Sequence, residues 1–173
     1  MKPQNDISQN NIKVLVVEPD KCPYTKDIEN ELHTLQQIVG GYIEAVYPFE
    51  DPVAVICSEE GKLIGMPLNR SLRDSEGNIY DIIAGTFLVV GLTEDDFGSL
   101  SPDQIHKFTS HFKTPEAFMR INGRIVSVPV PPKDRSAADE KDPLLSKIQS
   151  ATLQAEKSKS DPNVKGKDTE HNL

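Results

Sequence analysis

Apolar residues in this chain come in short runs separated by turn formers, and their spacing changes twice from the strand period to the helix period. Residues 12–17, IKVLVV, form a β-branched run closed by Pro19 and Asp20 and predict a buried strand. Residues 24–28 predict a short second strand after a turn at 20–23. Leu32, Leu35, Ile38 and Val39 then recur at three- and four-residue spacing, the stripe of a helix, with Asn30 placed to cap it and Gly40 and Gly41 to stop it. Residues 42–47 alternate as a strand does, and 48–52 turn. Residues 53–57 and 62–64 flank a turn at 58–61 and predict a hairpin. Residues 66–74 have no period and predict irregular chain or one helical turn. Residues 79–92 are the longest β-like stretch. The break at Ala84-Gly85 marks a bulge or a change of element, with the main strand at 86–90.

Ser101-Pro102-Asp103-Gln104 is a strong helix start: Ser can cap, Pro suits the first helical position, and Gln completes a capping box. Ile105, Phe108 and Phe112 share one face of that helix. Thr114-Pro115-Glu116 repeats the start signal for a brief further helix, and Asn122-Gly123 predicts a hairpin turn. After Val130 aromatic residues cease, and Lys, Asp, Ser and Glu dominate, a composition that buries too little apolar surface to order itself. The organisation expected is a flexible stretch at 1–10, one domain at 11–130 and a disordered tail at 131–173, with a transient or partner-docking helix at 143–157. Strands, helix, strands, helix argue an α+β domain. A small curved, mostly antiparallel sheet with one or two packed helices is the expected architecture.

Charge sharpens this picture. Residues 131–173 carry eight Lys/Arg and eight Asp/Glu, so the net charge of −8 falls wholly on residues 1–130. Such a surface repels a phosphate backbone, which argues against direct nucleic-acid binding and leaves protein surfaces as partners. No apolar run approaches the ~20 residues of a membrane span, and residues 1–10 lack the apolar core of a signal peptide. A cytoplasmic protein is expected, with Cys22 and Cys57 as thiols rather than a disulfide.

Candidate chemistry is sparse. Asn69-Arg70 follows Pro67, and Asp81 lies between Tyr80 and Ile82. Asn offers donors and an acceptor, and Arg offers a fork suited to carboxylate or phosphate. Asn69, Arg70 and Asp81 therefore form a candidate ligand-holding cluster, weighed against a buried hub that ties loops together. Gly40 and Gly41 read as a structural turn, because phosphate loops place glycines before a helix and here they follow one, and Gly85 reads as a structural turn at the break in the 79–92 run. Glu94-Asp95-Asp96 reads as an acidic helix start. No metal-ligand spacing, nucleophile motif or cofactor motif is apparent, and no catalytic residue is assigned.

Three segments carry a resemblance: LQQIVGGYIEAV at 35–46, PLNRSL at 67–72 and YDIIAGTFLVVG at 80–91. Over residues 12–112 the chain resembles a family of bacterial and phage proteins known as domain of unknown function 3846. Gly40, Gly41, Glu44, Asn69, Asp81 and Gly85 are among the resembling positions. The resemblance implies a protein of phages, plasmids or conjugative elements and assigns no activity. The expectation is a non-enzymatic accessory protein that binds a host or element protein, counteraction of host defence being one form of this. The alternatives are a small-molecule binder that sequesters a nucleotide signal and, last, an enzyme acting on a nucleotide.

Overall fold

The computed structural model describes residues 10–133. Its elements run β1 (Asn11–Val17), β2 (Tyr24–Glu29), α1 (Leu32–Val39), β3 (Ile43–Val46), β4 (Val53–Ser58), β5 (Leu68–Arg73) and β6 (Ile79–Ala84). They continue with β7 (Phe87–Leu92), β8 (Phe97–Gly98), α2 (Pro102–His111), β9 (Glu116–Ile121) and β10 (Arg124–Pro129). The class is α+β, and every strand pair is antiparallel. The strands divide among three open sheets rather than one curved sheet. The main sheet has the order β2-β1-β7-β4-β3, with β8 on β7, while β5-β6 and β9-β10 are separate ribbons.

The continuous apolar runs in β1, β4 and β7 follow from burial on both faces. Val14, Val16, Ala54, Ile56, Leu88 and Val90 pack with Leu35 and Val39 of α1. Leu15, Val17, Val53, Val55, Phe87 and Val89 pack on the other face with Phe108 and Phe112 near α2 and with Leu72 and Ile83 of the β5-β6 ribbon. The helix ends use the expected devices. Ser101 Oγ accepts from the Gln104 N–H while the Gln104 side chain accepts from the Ser101 N–H. Gly40, at φ +83°, ends α1 in the left-handed conformation and donates to the Gln36 carbonyl.

Several expectations are corrected. Glu31, not Asn30, precedes α1, and it makes no side-chain cap. The Asn30 amide instead bonds Asp96 and the Phe97 carbonyl, fastening the β2 end to the turn before β8. Residues 62–64 are turn, not strand, because β4 already has β3 and β7 as neighbours. Residues 68–73 form a strand rather than irregular chain, since buried polar side chains hide its pattern. At 84–85, by contrast, the expected break is a change of element: residues 79–92 are two strands in different sheets, with Gly85 between them. Glu94-Asp95-Asp96 sits in a turn in which the Thr93 N–H donates to the Asp96 carbonyl, and starts no helix. Glu116 opens β9 and not a helix, because its partner β10 follows at once through Asn122-Gly123. Both turn residues have positive φ (+50° and +77°), as a tight hairpin requires. At the far end the Lys133 N–H donates to the Asp20 carbonyl. The expectations for 1–9 and for most of the tail, including the helix at 143–157, lie outside the described residues.

Candidate functional site

β5 places three polar side chains in a row inside the protein: Asn69 and Arg70 are each 1% exposed and Ser71 6%. Arg70 spends its fork on the protein. Nε and Nη2 donate to the Phe112 carbonyl at 3.0 and 2.9 Å, Nη2 also donates to the Lys21 carbonyl at 2.7 Å, and Nη1 donates to Asn69 Oδ1 at 2.9 Å. Burial opposes its charge and pushes its pKa down, while Glu116 is the first of the nearby acids to favour it. Asn69 Nδ2 donates to the Val17 and Gly85 carbonyls at 2.9 and 2.8 Å. Together the pair ties the ends of β1 and α2 to the junction between β6 and β7. The third suspected residue stands apart from these bonds. Asp81 is partly exposed, pairs with Lys62 and accepts from the Ile82 N–H.

That Asp81–Lys62 pair leads to a loop, residues 59–66, which the glycines also converge on. The loop closes on itself: the Ile64 N–H donates to Glu60 and the Met66 N–H to Gly61. The Met66 side chain fills a cradle of three glycines. A Cβ on Gly85 would stand 2.6 Å from Met66 Sδ, one on Gly61 3.3 Å from it, and one on Gly40 3.2 Å from Met66 Cε. Gly85 also has φ +78°, donates to the Pro67 carbonyl, and accepts from Asn69. Gly41 lines a cleft of about 370 Å³ beside it, together with Tyr42, Ser58, Glu60 and Ile64. Above this fixed base the loop holds Leu63 87% exposed and Ile64 60% exposed, with Tyr42 68% exposed at the cleft. Thus Gly40, Gly61 and Gly85, scattered in sequence, seat Met66 of this loop, and Asp81 pairs with its Lys62. Met66, Leu63 and Ile64 were not singled out from the sequence. The signal present was Gly61 and Gly65 bracketing an apolar pair, which puts that pair on a turn.

A second concavity, a groove of about 750 Å³, opens between the 48–51 turn, β5, α2 and the β9-β10 base. Glu116 lies in it and accepts from the Ser71 N–H, the Ser71 hydroxyl and the Ser127 hydroxyl, with Arg73 Nη2 at 3.6 Å. Burial raises its pKa, but the serine hydrogen bonds and Arg73 outweigh that and hold it below the ordinary 4.5. His111 stacks edge-on against Phe49 and Phe112, and partial covering pushes its pKa below the ordinary histidine value, against the opposing pull of Glu116. Lys107 pairs with Asp51. Ser71 meets Glu116 only through β5-to-β9 packing, and Ser127 meets it across the β9-β10 hairpin, so no short sequence window shows the three together.

A depressed carboxylate pKa fixes the sign of a pH effect. Glu116 contributes stability that is fully present above its unfolded value and is lost as pH falls through the lower folded one. Urea unfolding from pH 7 to 3 is expected to show a steeper acid loss in the wild type than in Glu116→Gln. The variant should also lose about 1–2 kcal/mol at pH 7, as a charge-assisted acceptor becomes a neutral amide. Parallel pH profiles for the two proteins would remove Glu116 from this role.

Among the described residues no group of three or more His, Cys, Asp or Glu is placed to hold a metal ion. No described helix is long and apolar enough to cross a membrane. Cys57 is buried in β4, and burial, with Glu44 and Asp81 nearby, pushes its thiol up to about 11, which disfavours the thiolate a nucleophile needs. Comparison with curated proteins gives no match, and neither does comparison with solved structures. One family model does match, over residues 12–113, and the chain belongs to that family, described as domain of unknown function (DUF3846).

Proposed function

We propose that this is a cytoplasmic, non-enzymatic accessory protein of a phage, plasmid or conjugative element, and that it acts by binding a host or element-encoded protein through the loop at 59–66. The observation that carries this reading is Leu63, 87% exposed on a loop whose base packs Met66 against Gly40, Gly61 and Gly85. A single exposed leucine on a loose loop needs no explanation. Here the Met66 plug, the glycine cradle and the Lys62–Asp81 pair hold Leu63 and Ile64 outward, beside Tyr42 and a cleft. Rigid apolar anchors next to a recess are what a protein interface uses, because little conformational entropy is lost on docking. Counteraction of a host defence system is one biological form of such binding.

Capture from host lysate on the full chain, beside a Leu63→Asp/Ile64→Asp variant, tests it. A partner retained by the wild type and lost by the variant, at unchanged melting temperature, is the expected result. Identical partners for both proteins would overturn the loop's role. The second reading, a nucleotide-signal binder, draws on the groove, where Arg73, Lys107 and His111 face a common space. It ranks second because Arg73 and Lys107 are already paired with Glu116 and Asp51. In that case Asn69 and Arg70 would brace the groove wall behind Ser71 and Phe112 rather than touch ligand. Asp81 would have no place in it. An enzyme acting on a nucleotide would need the same groove and draws no further support from its geometry.

A further inference from the structure

The main sheet ends in two edge strands, β2 and β3, and they differ. β3 has β4 on one side and, among the described residues, no strand on the other. The Glu59 N–H donates to the Tyr42 carbonyl at 2.9 Å, which fixes the parity of the ladder. With Ile43 opposite Ser58, Tyr42, Glu44 and Val46 turn their main-chain groups to β4. Ile43 and Ala45 turn theirs outward, where no described residue bonds them. On β2 the Asn30 N–H donates to the Asn10 carbonyl, so Thr25, Asp27 and Glu29 are the outward residues. There the Glu29 carbonyl already accepts from the Glu31 N–H, and Lys26 and Asp27 stand exposed along the strand. Charged side chains and an occupied end close an edge to further strands. β3, IEAV, has no lysine or proline, and Tyr42 and Tyr47 bracket it at 68% and 62% exposed.

Charge selects the occupant of this edge. Glu44 on the strand, Glu59 opposite Tyr42 and the adjoining Glu60 are exposed, and no ion pair among the described residues involves them. Lys62, the cation of the neighbouring loop, is taken by Asp81. A second copy of the chain fits badly. The two-fold register that uses both outward residues sets Ile43 against Ala45 of the other copy, and therefore Glu44 against Glu44. Like charges directly opposite are destabilising, whereas a Lys or Arg at that place attracts.

We propose that the protein partner of the loop at 59–66 also adds an extended, cationic segment to the β3 edge, which rests on the reading of that loop as a binding surface. The segment runs antiparallel to β3 and exchanges main-chain bonds with Ile43 and Ala45. Its alternate residues fall on the two faces of the sheet. Apolar ones extend the α1 side beside Ile43 and Ala45, and a Lys or Arg lies on the other side beside Glu44. Main-chain bonds give strand addition its affinity, and alternate side chains give it selectivity. Past Tyr42 the segment reaches the cleft lined by Glu60 and Ile64, so edge and loop serve one partner.

Titrating the full chain with a synthetic peptide of about seven alternating valines and lysines, followed by amide NMR, tests the edge. In the free protein the Ile43 and Ala45 amides are expected to exchange with solvent faster than those of Glu44 and Val46. The peptide should shift and protect the first pair. Ala45→Pro deletes an outward donor without breaking a ladder bond and should weaken the peptide at least ~10-fold. Glu44→Lys, a change at an exposed side chain, should reverse the preference towards a valine–glutamate peptide. No binding at millimolar peptide, equal binding of the two peptides, protection along β2 instead, or edge-to-edge dimerisation would each overturn the proposal. In lysate capture, a partner kept by Ala45→Pro and lost by Leu63→Asp/Ile64→Asp would overturn the edge and leave the loop standing. A partner lost by Ala45→Pro and kept by the loop variant would overturn the loop's role and leave the edge in force.

Discussion

Arg70→Ala is expected to lower unfolding stability by about 3–5 kcal/mol, a large fraction of the ~5–15 kcal/mol that holds a typical domain. The substitution removes a side chain that is 1% exposed and strands three acceptors at once, the Phe112 and Lys21 carbonyls and Asn69 Oδ1. Each buried polar atom left without a partner costs about 1–3 kcal/mol, and water entering the vacated space recovers part of this. The losses are coupled, because Asn69 is oriented by Arg70 and in turn holds the Val17 and Gly85 carbonyls. Arg70→Lys should recover only a minor share, since one ammonium on a flexible stem cannot reproduce a planar fork that serves four bonds. Urea titration of the three proteins decides it. A loss under ~1 kcal/mol for Arg70→Ala would mean that the hub is not cooperative.

Gly85→Ala is expected to cost about 2–4 kcal/mol, from two separable sources. The backbone at φ +78° disfavours any L side chain by roughly 1–2 kcal/mol. The new Cβ would also stand 2.6 Å from Met66 Sδ, so the methionine must leave its seat. The second source vanishes when Met66 is shortened. In a Met66→Ala background the same glycine change should cost only the backbone component, a coupling of about 1 kcal/mol or more in a double-mutant cycle. Strict additivity would show that the methionine gives way freely and that the cradle does not grip it. Because the cradle holds Leu63 and Ile64 outward, Gly85→Ala should also weaken partner binding at temperatures where the domain stays folded.

The sequence marked most of the main sheet because burial on both faces leaves an unmistakable apolar run in β1, β4 and β7. It marked α2 because a capping box is a local device, complete within Ser101 to Gln104. It failed at β5, where Asn69, Arg70 and Ser71 fill inward positions with polar groups whose partners lie at Val17, Lys21, Phe112 and Glu116. No window around residue 70 contains those partners. The same reasoning explains the candidate site. Asp81, Gly40 and Gly85 stand out in the sequence, yet what joins them, the loop at 59–66, depends on Met66 and Lys62, which look ordinary in isolation. Glu116 was misread as a helix start because Thr-Pro-Glu satisfies a local rule that the following Asn-Gly hairpin overrides.

The place of β7 in the main sheet bears on how the protein is made. Leu15 and Val55 both pair with Val89, so β7 sits between β1 and β4 although it emerges after both. The β1-β2 and β3-β4 hairpins can form early in synthesis, but each then waits with an open, apolar edge until residues 87–92 leave the ribosome. Non-local pairing of this kind slows folding, and unpaired edges invite aggregation in the interval. A chain truncated before Phe87 would be two sticky half-sheets. Insertion of one late strand joins them into a domain.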